Sequence, residues 1–86
     1  NKIELSDKGL IDRILEEMKK EYAAEEINDI DGVKISFESK RQWVHLRRSN
    51  TEPIIRIYSE APTLAAAESL ANEVIGIAER VINDQN

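Results

Sequence analysis

Arg47 and Arg56 enclose Ser49-Asn50-Thr51, a run of three short hydrogen-bonding side chains. A guanidinium fork matches the oxygens of a phosphate. Consecutive N–H groups of a polar loop can form a nest for an anion. Asn50 tolerates the left-handed backbone that a tight loop demands. Arg47, Ser49, Asn50, Thr51 and Arg56 thus supply two positive charges and a set of short donors, enough to hold one phosphate monoester. The same spacing also suits a plain hairpin loop, and spacing alone leaves both readings open.

Charge is unevenly spread around these residues. From Lys34 to Arg56 there are six basic residues against two acidic ones, a local excess of +4 in a chain of net charge -5. The remainder therefore carries -9. A basic island on an acidic body concentrates small anions, whereas the net charge argues against general nucleic-acid binding.

Two strands must present the loop. Trp43 to Arg47 alternates, with Val44 and Leu46 on one face and Trp43, His45 and Arg47 on the other. Ile54 to Glu60 alternates likewise, Ile55 and Ile57 facing the core and Arg56, Tyr58 and Glu60 facing away. Pro53 ends pairing between them. Upstream, Glu26 to Ile30 reads as a short strand. Asp31-Gly32 reads as a type I′ hairpin turn, which needs positive φ at both residues. Val33, Ile35 and Phe37 alternate with Lys34, Ser36 and Glu38, and Ser39 to Gln42 is a polar turn.

Helical spacing brackets these strands. Leu10, Ile11, Ile14, Leu15, Met18 and Tyr22 recur at three and four residues, with Ser6 or Asp7 as cap, Lys19 and Lys20 at the C-terminal end and a Glu16–Lys20 pair. Thr63 caps a second helix whose stripe is Leu64, Ala67, Leu70, Ala71, Val74, Ala78 and Val81, interrupted by Gly76. The expected fold is α+β: a four-stranded antiparallel sheet with both helices packed on one face, in the order α-β-β-β-β-α.

The size, 86 residues, bounds the chain to one small domain. Cysteine is absent and His45 is the single histidine, so disulfides and Cys- or His-rich metal sites are excluded. No apolar run reaches the roughly 20 residues of a membrane span, and no signal peptide is evident. The cytoplasm is the expected compartment. Asn1 to Leu5 reads as a tail or the stub of an interdomain linker, and residues 84–86 as a polar tail. The opening Asn1-Lys2-Ile3-Glu4, without an initiating Met, reads as that of a fragment of a larger protein.

The run Arg47-x-Ser49-Asn50-Thr51-Glu52-Pro53-x-x-Arg56 resembles the phosphate-binding loop of the α-D-phosphohexomutases, which include phosphoglucomutase, phosphomannomutase and phosphoglucosamine mutase. Asp31-Gly32-Val33-Lys34 is similar to the family's hairpin entering its fourth domain, and Tyr58-Ser59-Glu60-Ala61 with the following helix to its exit. The resemblance covers about residues 6–83. It implies the C-terminal domain of a four-domain isomerase, inactive alone, that grips the phosphate of a hexose phosphate that is not being transferred. Arg47, Ser49, Asn50 and Thr51 would be the binding residues, with Arg56 either joining them or bracing the loop through Glu52 or Glu60. The serine that carries the transferred phosphoryl group and the Asp loop that holds Mg²⁺ would lie in earlier domains, so no cofactor is assigned to this stretch and none of its residues is catalytic. Arg48 stands where many members have Pro, and Asn50 where many have Gly; these departures cloud the choice of glucose, mannose or glucosamine phosphate. The expected partners are that hexose phosphate and the other domains of the same chain, without nucleic acid or membrane.

Other side chains carry plainer readings. Trp43 is a cross-strand packing residue rather than a sugar platform, His45 a surface histidine rather than a base, Tyr58 a packing residue and Glu52 a structural acceptor. The alternatives are a stand-alone module that binds single-stranded RNA on its open face, and a purely structural α+β domain.

Overall fold

Alternating apolar residues in four short segments can all be buried only if the segments pair and one sheet face is covered. The computed structural model describes residues 2–5 and 7–84 and shows this arrangement. The elements are β1 (Lys2–Glu4), α1 (Gly9–Glu21), β2 (Glu26–Asn28), β3 (Val33–Phe37), β4 (Gln42–Arg48), β5 (Ile54–Glu60) and α2 (Leu64–Asn83). One antiparallel sheet has the order β1-β5-β4-β3-β2. Val33, Ile35, Phe37, Val44, Leu46, Ile55 and Ile57 point to one face and are buried. Over them lie Leu10, Ile11, Ile14, Leu15 and Met18 of α1, with Leu70, Ala71, Val74, Ile77, Ala78 and Val81 of α2. Each of the larger side chains contributes about 1.5–3 kcal/mol by leaving water.

The sheet has five strands rather than four. The additional one, β1, falls in the stretch read as a tail: Lys2, Ile3 and Glu4 pair with Arg56, Ile55 and Ile54, and Ile3 and Leu5 are buried. Unpaired, β5 would present a row of open backbone groups. Lys2-Ile3-Glu4-Leu5 already alternates, but three paired residues are too few for periodicity to reveal. Asp84 follows the last turn of α2, its N–H donating to the Arg80 carbonyl, and residues 85 and 86 lie outside the described residues.

Helix ends follow local chemistry. The Asp7 carboxylate accepts from the Gly9 N–H at 2.8 Å, although the N-cap position itself is Lys8; Ser6 lies outside the described residues. Thr63 caps α2 as expected, its hydroxyl accepting from the Ala66 N–H at 3.1 Å. Lys19, not Lys20, is the lysine that meets Glu16, at 2.9 Å and three residues away. Leu64 departs from the expected stripe: it is 77% exposed, because the burial of α2 begins at Leu70, and Ile77 joins the stripe instead.

Gly76 interrupts α2 without a packing reason, since a Cβ there would meet nothing within 4 Å. Gly76→Ala is therefore expected to stabilise the chain by about 0.5–1 kcal/mol, read by urea denaturation, through a less flexible unfolded chain. Unchanged stability would contradict this.

Where α1 ends, Tyr22 packs edge-on against Phe37 at 5.3 Å and donates its hydroxyl to Glu73 of α2 at 2.6 Å. Burial first, and the Glu73 hydrogen bond second, push the hydroxyl pKa well above its ordinary value of 10. A group whose pKa is raised by folding stabilises fully below its unfolded value and loses that contribution as pH climbs through the folded one. Stability should thus fall above about pH 10. Tyr22→Phe is expected to cost about 1 kcal/mol at pH 7 and to flatten that alkaline decline. Denaturation series from pH 7 to 11 check both; an equally steep decline in the variant would contradict the assignment.

Candidate functional site

Antiparallel pairing of β4 with β5 sets Arg47 directly opposite Arg56, and pairing of β5 with β1 sets Arg56 opposite Lys2. Period-two alternation sends all three to the face away from the helices. Three cations thus lie abreast at the sheet end from which the Ser49–Pro53 loop emerges. Arg56 forms no ion pair among the described residues, so neither Glu52 nor Glu60 neutralises it.

The loop is braced by its own first residue. The Ser49 N–H donates to the Ile54 carbonyl at 3.1 Å, and the Ile54 N–H to the Glu52 carbonyl at 2.8 Å. The Ser49 hydroxyl accepts from the Thr51 and Glu52 N–H groups, both at 3.3 Å, and lies 3.5 Å from the Thr51 hydroxyl. The Asn50 N–H has no partner among the described residues, and the Asn50 and Thr51 side chains are exposed. From the other side, the Leu5 N–H donates to the Pro53 carbonyl at 2.8 Å, so β1 buttresses the loop. The result is a polar loop held by its own hydrogen bonds, with open donors at Asn50 and with Arg47 and Arg56 on the strands that flank it.

Arg47 and Arg48 part company. Arg48 lies on the helix side, where its guanidinium meets Asp12 of α1 at 2.9 Å. It ties β4 to the first helical turn. Arg47 extends across the open side to Asp31, 3.0 Å away. The connection that carries Asp31 is the four-residue loop Asp29–Gly32, not the two-residue type I′ turn expected. Gly32 has φ +71°, but Asp31 is not in the positive-φ region, and β2 stops at Asn28. Asn28 Oδ1 accepts from the Ile30 N–H at 3.0 Å, which closes the turn early. His45 sits between Lys34 and Tyr58 on the open face, and its Nε2–H donates to the Asp31 carbonyl at 2.6 Å. Trp43 is half-buried with Lys34 Nζ 4.7 Å from its ring centroid, a packing and cation–π role.

Sequence reasoning grouped Arg47, Ser49, Asn50, Thr51 and Arg56, and the structure brings all five to one end of the sheet. It missed Asp31 as their neighbour, having read that residue only as a turn former. Residues 31 and 47 meet only in the observed strand register, which a turn of another length would have shifted. Among the described residues no three His, Cys, Asp or Glu side chains converge as a group that could hold a metal ion.

Residues 2–77 match the model of the phosphoglucomutase/phosphomannomutase C-terminal domain. The chain belongs to this family. Curated relatives agree. A probable phosphoglucosamine mutase of Pyrococcus horikoshii is 37% identical over 81 residues, which is 94% of this chain and 17% of the relative. One of Methanosphaera stadtmanae is 43% identical over 77 residues, 84% of this chain and 17% of the relative. A phosphoglucosamine/phosphogalactosamine mutase of Sulfurisphaera tokodaii is 36% identical over 80 residues, 91% of this chain and 17% of the relative. The chain thus spans about a sixth of the length of these relatives. Within the matched span Ser49, Asn50 and Thr51 fall in the connection between β4 and β5, Arg47 and Arg56 lie on the two flanking strands, and β1 is included.

Proposed function

We propose that this domain grips the non-transferred phosphate of a hexose phosphate, as the C-terminal part of a phosphohexose mutase. The observation that carries the reading is the loop Ser49–Pro53, already folded around the Ser49 hydroxyl, with Arg47 and Arg56 side by side at its base. Arg47 offers a charge-assisted fork, Arg56 a second positive charge, and the Asn50 N–H and the Asn50 and Thr51 side chains the remaining donors. Water is displaced by donors that are already aimed, so little ordering entropy opposes binding.

The names of the relatives favour a glucosamine phosphate as substrate. In the whole enzyme a serine in another domain would give its phosphoryl group to the sugar and recover one from the bisphosphate after reorientation. Mg²⁺, held by an aspartate loop elsewhere, would neutralise charge on the group in flight. This domain holds the far phosphate so that the reacting oxygen meets that serine, a matter of positioning. The cytoplasm, where sugar phosphates are made, is the compartment we assign. No described helix is long and apolar enough to cross a membrane.

The RNA-binding alternative is not adopted, because Lys34 already occupies the neighbourhood of the Trp43 ring on the open face. The test is interconversion of glucosamine 6-phosphate and glucosamine 1-phosphate by the full-length enzyme. Turnover that depends on Arg47 supports the reading, and turnover indifferent to Arg47 contradicts it.

A further inference from the structure

The geometry points to Asp31 as the positioning residue for Arg47: it takes one edge of the guanidinium so that the rest of the fork faces the Ser49–Thr51 loop. This rests on the phosphate-clamp reading and deepens it. Asp31 Oδ2 meets a single guanidinium nitrogen, Nη2 of Arg47, at 3.0 Å. The remaining N–H groups of the fork stay available. The pair is exposed, 68% at Asp31 and 50% at Arg47, so its direct worth to stability is small.

Yet the segment that presents Asp31 is fixed on every side. Asp29 meets Lys19 of α1 at 3.3 Å. Asn28 Oδ1 holds the Ile30 N–H, His45 holds the Asp31 carbonyl, and Gly32 lies so close to β4 that a Cβ would collide with the Leu46 carbonyl oxygen. Four constraints hold a loop whose outermost carboxylate does nothing for the core. What it touches is Arg47, a long side chain with much rotamer freedom, flanked across the sheet by Arg56 and then Lys2. Without Asp31 that guanidinium has no fixed partner and is pushed by its like-charged neighbour.

The sign of the effect separates this role from simple charge. Removing a carboxylate beside an anion site raises the local positive potential, and electrostatics alone would tighten phosphate binding. Positioning predicts the opposite. The experiment is a double-mutant cycle in the full-length enzyme, with kcat/KM for glucosamine 6-phosphate measured for the wild type, Asp31→Ala, Arg47→Ala and the double variant. Asp31→Ala should lower kcat/KM by about 3- to 10-fold, the cost of ordering one long side chain at binding. In the Arg47→Ala background it should change nothing. Asp31→Asn, which suits the same turn and removes only the charge, should also lower kcat/KM and guards against a folding defect. An unchanged or raised kcat/KM in Asp31→Ala and Asp31→Asn, with Arg47→Ala still damaging, overturns the positioning role and leaves the clamp standing. An equal loss with and without Arg47 overturns it in favour of a structural role. A silent Arg47→Ala overturns both.

Discussion

Arg47→Ala in the full-length enzyme is expected to lower kcat/KM for the hexose phosphate by about 10- to 150-fold. The estimate follows from one charge-assisted hydrogen bond to a dianion, about 1.5–3 kcal/mol, converted at about 1.4 kcal/mol per decade. Arg47 sits at the base of the loop, opposite Arg56, with its fork partly free. The phosphate it is proposed to hold stays bound through phosphoryl transfer, so the lost contact is missed in both the ground and transition states. Steady-state kinetics on the purified variant measure the loss directly. Because Arg47 is exposed and outside the core, the melting temperature should move little, which separates lost binding from lost folding. A kcat/KM within twofold of wild type would remove Arg47 from the site.

Gly32→Ala is expected to destabilise the domain by about 2–4 kcal/mol, lowering the melting temperature by about 10 °C or more. Two independent costs contribute. At φ +71° any Cβ is strained, by about 1–3 kcal/mol. The new methyl would also strike the Leu46 carbonyl oxygen and crowd Arg47 Cα, which are backbone atoms that cannot swing aside. Relief requires the Asp29–Gly32 loop to lift from β4, which would strain the His45–Asp31 and Arg47–Asp31 contacts. Thermal unfolding followed by circular dichroism checks the magnitude. A loss below about 1 kcal/mol would show that the loop yields easily, and would weaken the case that it is braced to present Asp31.

Much of this was legible in the residues. The two helices, the alternation of β3, β4 and β5 and the Thr63 cap follow from patterns long enough to be unambiguous. That Arg47, Ser49, Asn50, Thr51 and Arg56 lie together needed only the expectation that two alternating strands flank a polar loop. What escaped reading depended on distance in sequence. Strand β1 has three residues, and its partner β5 lies about fifty positions later. The Arg48–Asp12 and Arg47–Asp31 pairs turn on register and on which strand face each arginine takes. The hairpin failed as a type I′ turn because the Asn28 side chain and His45 capture its backbone, and neither effect is carried by the Asp-Gly dipeptide itself. Leu64 met the helical spacing but not the sheet, since periodicity fixes a face and not where along the helix the contact begins.

The Arg47–Thr51 region of this domain is proposed to receive a phosphate. Amide ¹H–¹⁵N spectra of the 86-residue chain, recorded while glucosamine 6-phosphate is added against a matched chloride control, test it most directly. The loop is already shaped by the Ser49 hydroxyl, so its donors need no other domain to be organised. Saturable shifts confined to Arg47 through Thr51, with the amides of both helices still, are the predicted result, at a millimolar dissociation constant, or about -4 kcal/mol. Silence at those amides through about 50 mM, more than tenfold above a millimolar constant, or shifts reproduced by chloride, would contradict the account.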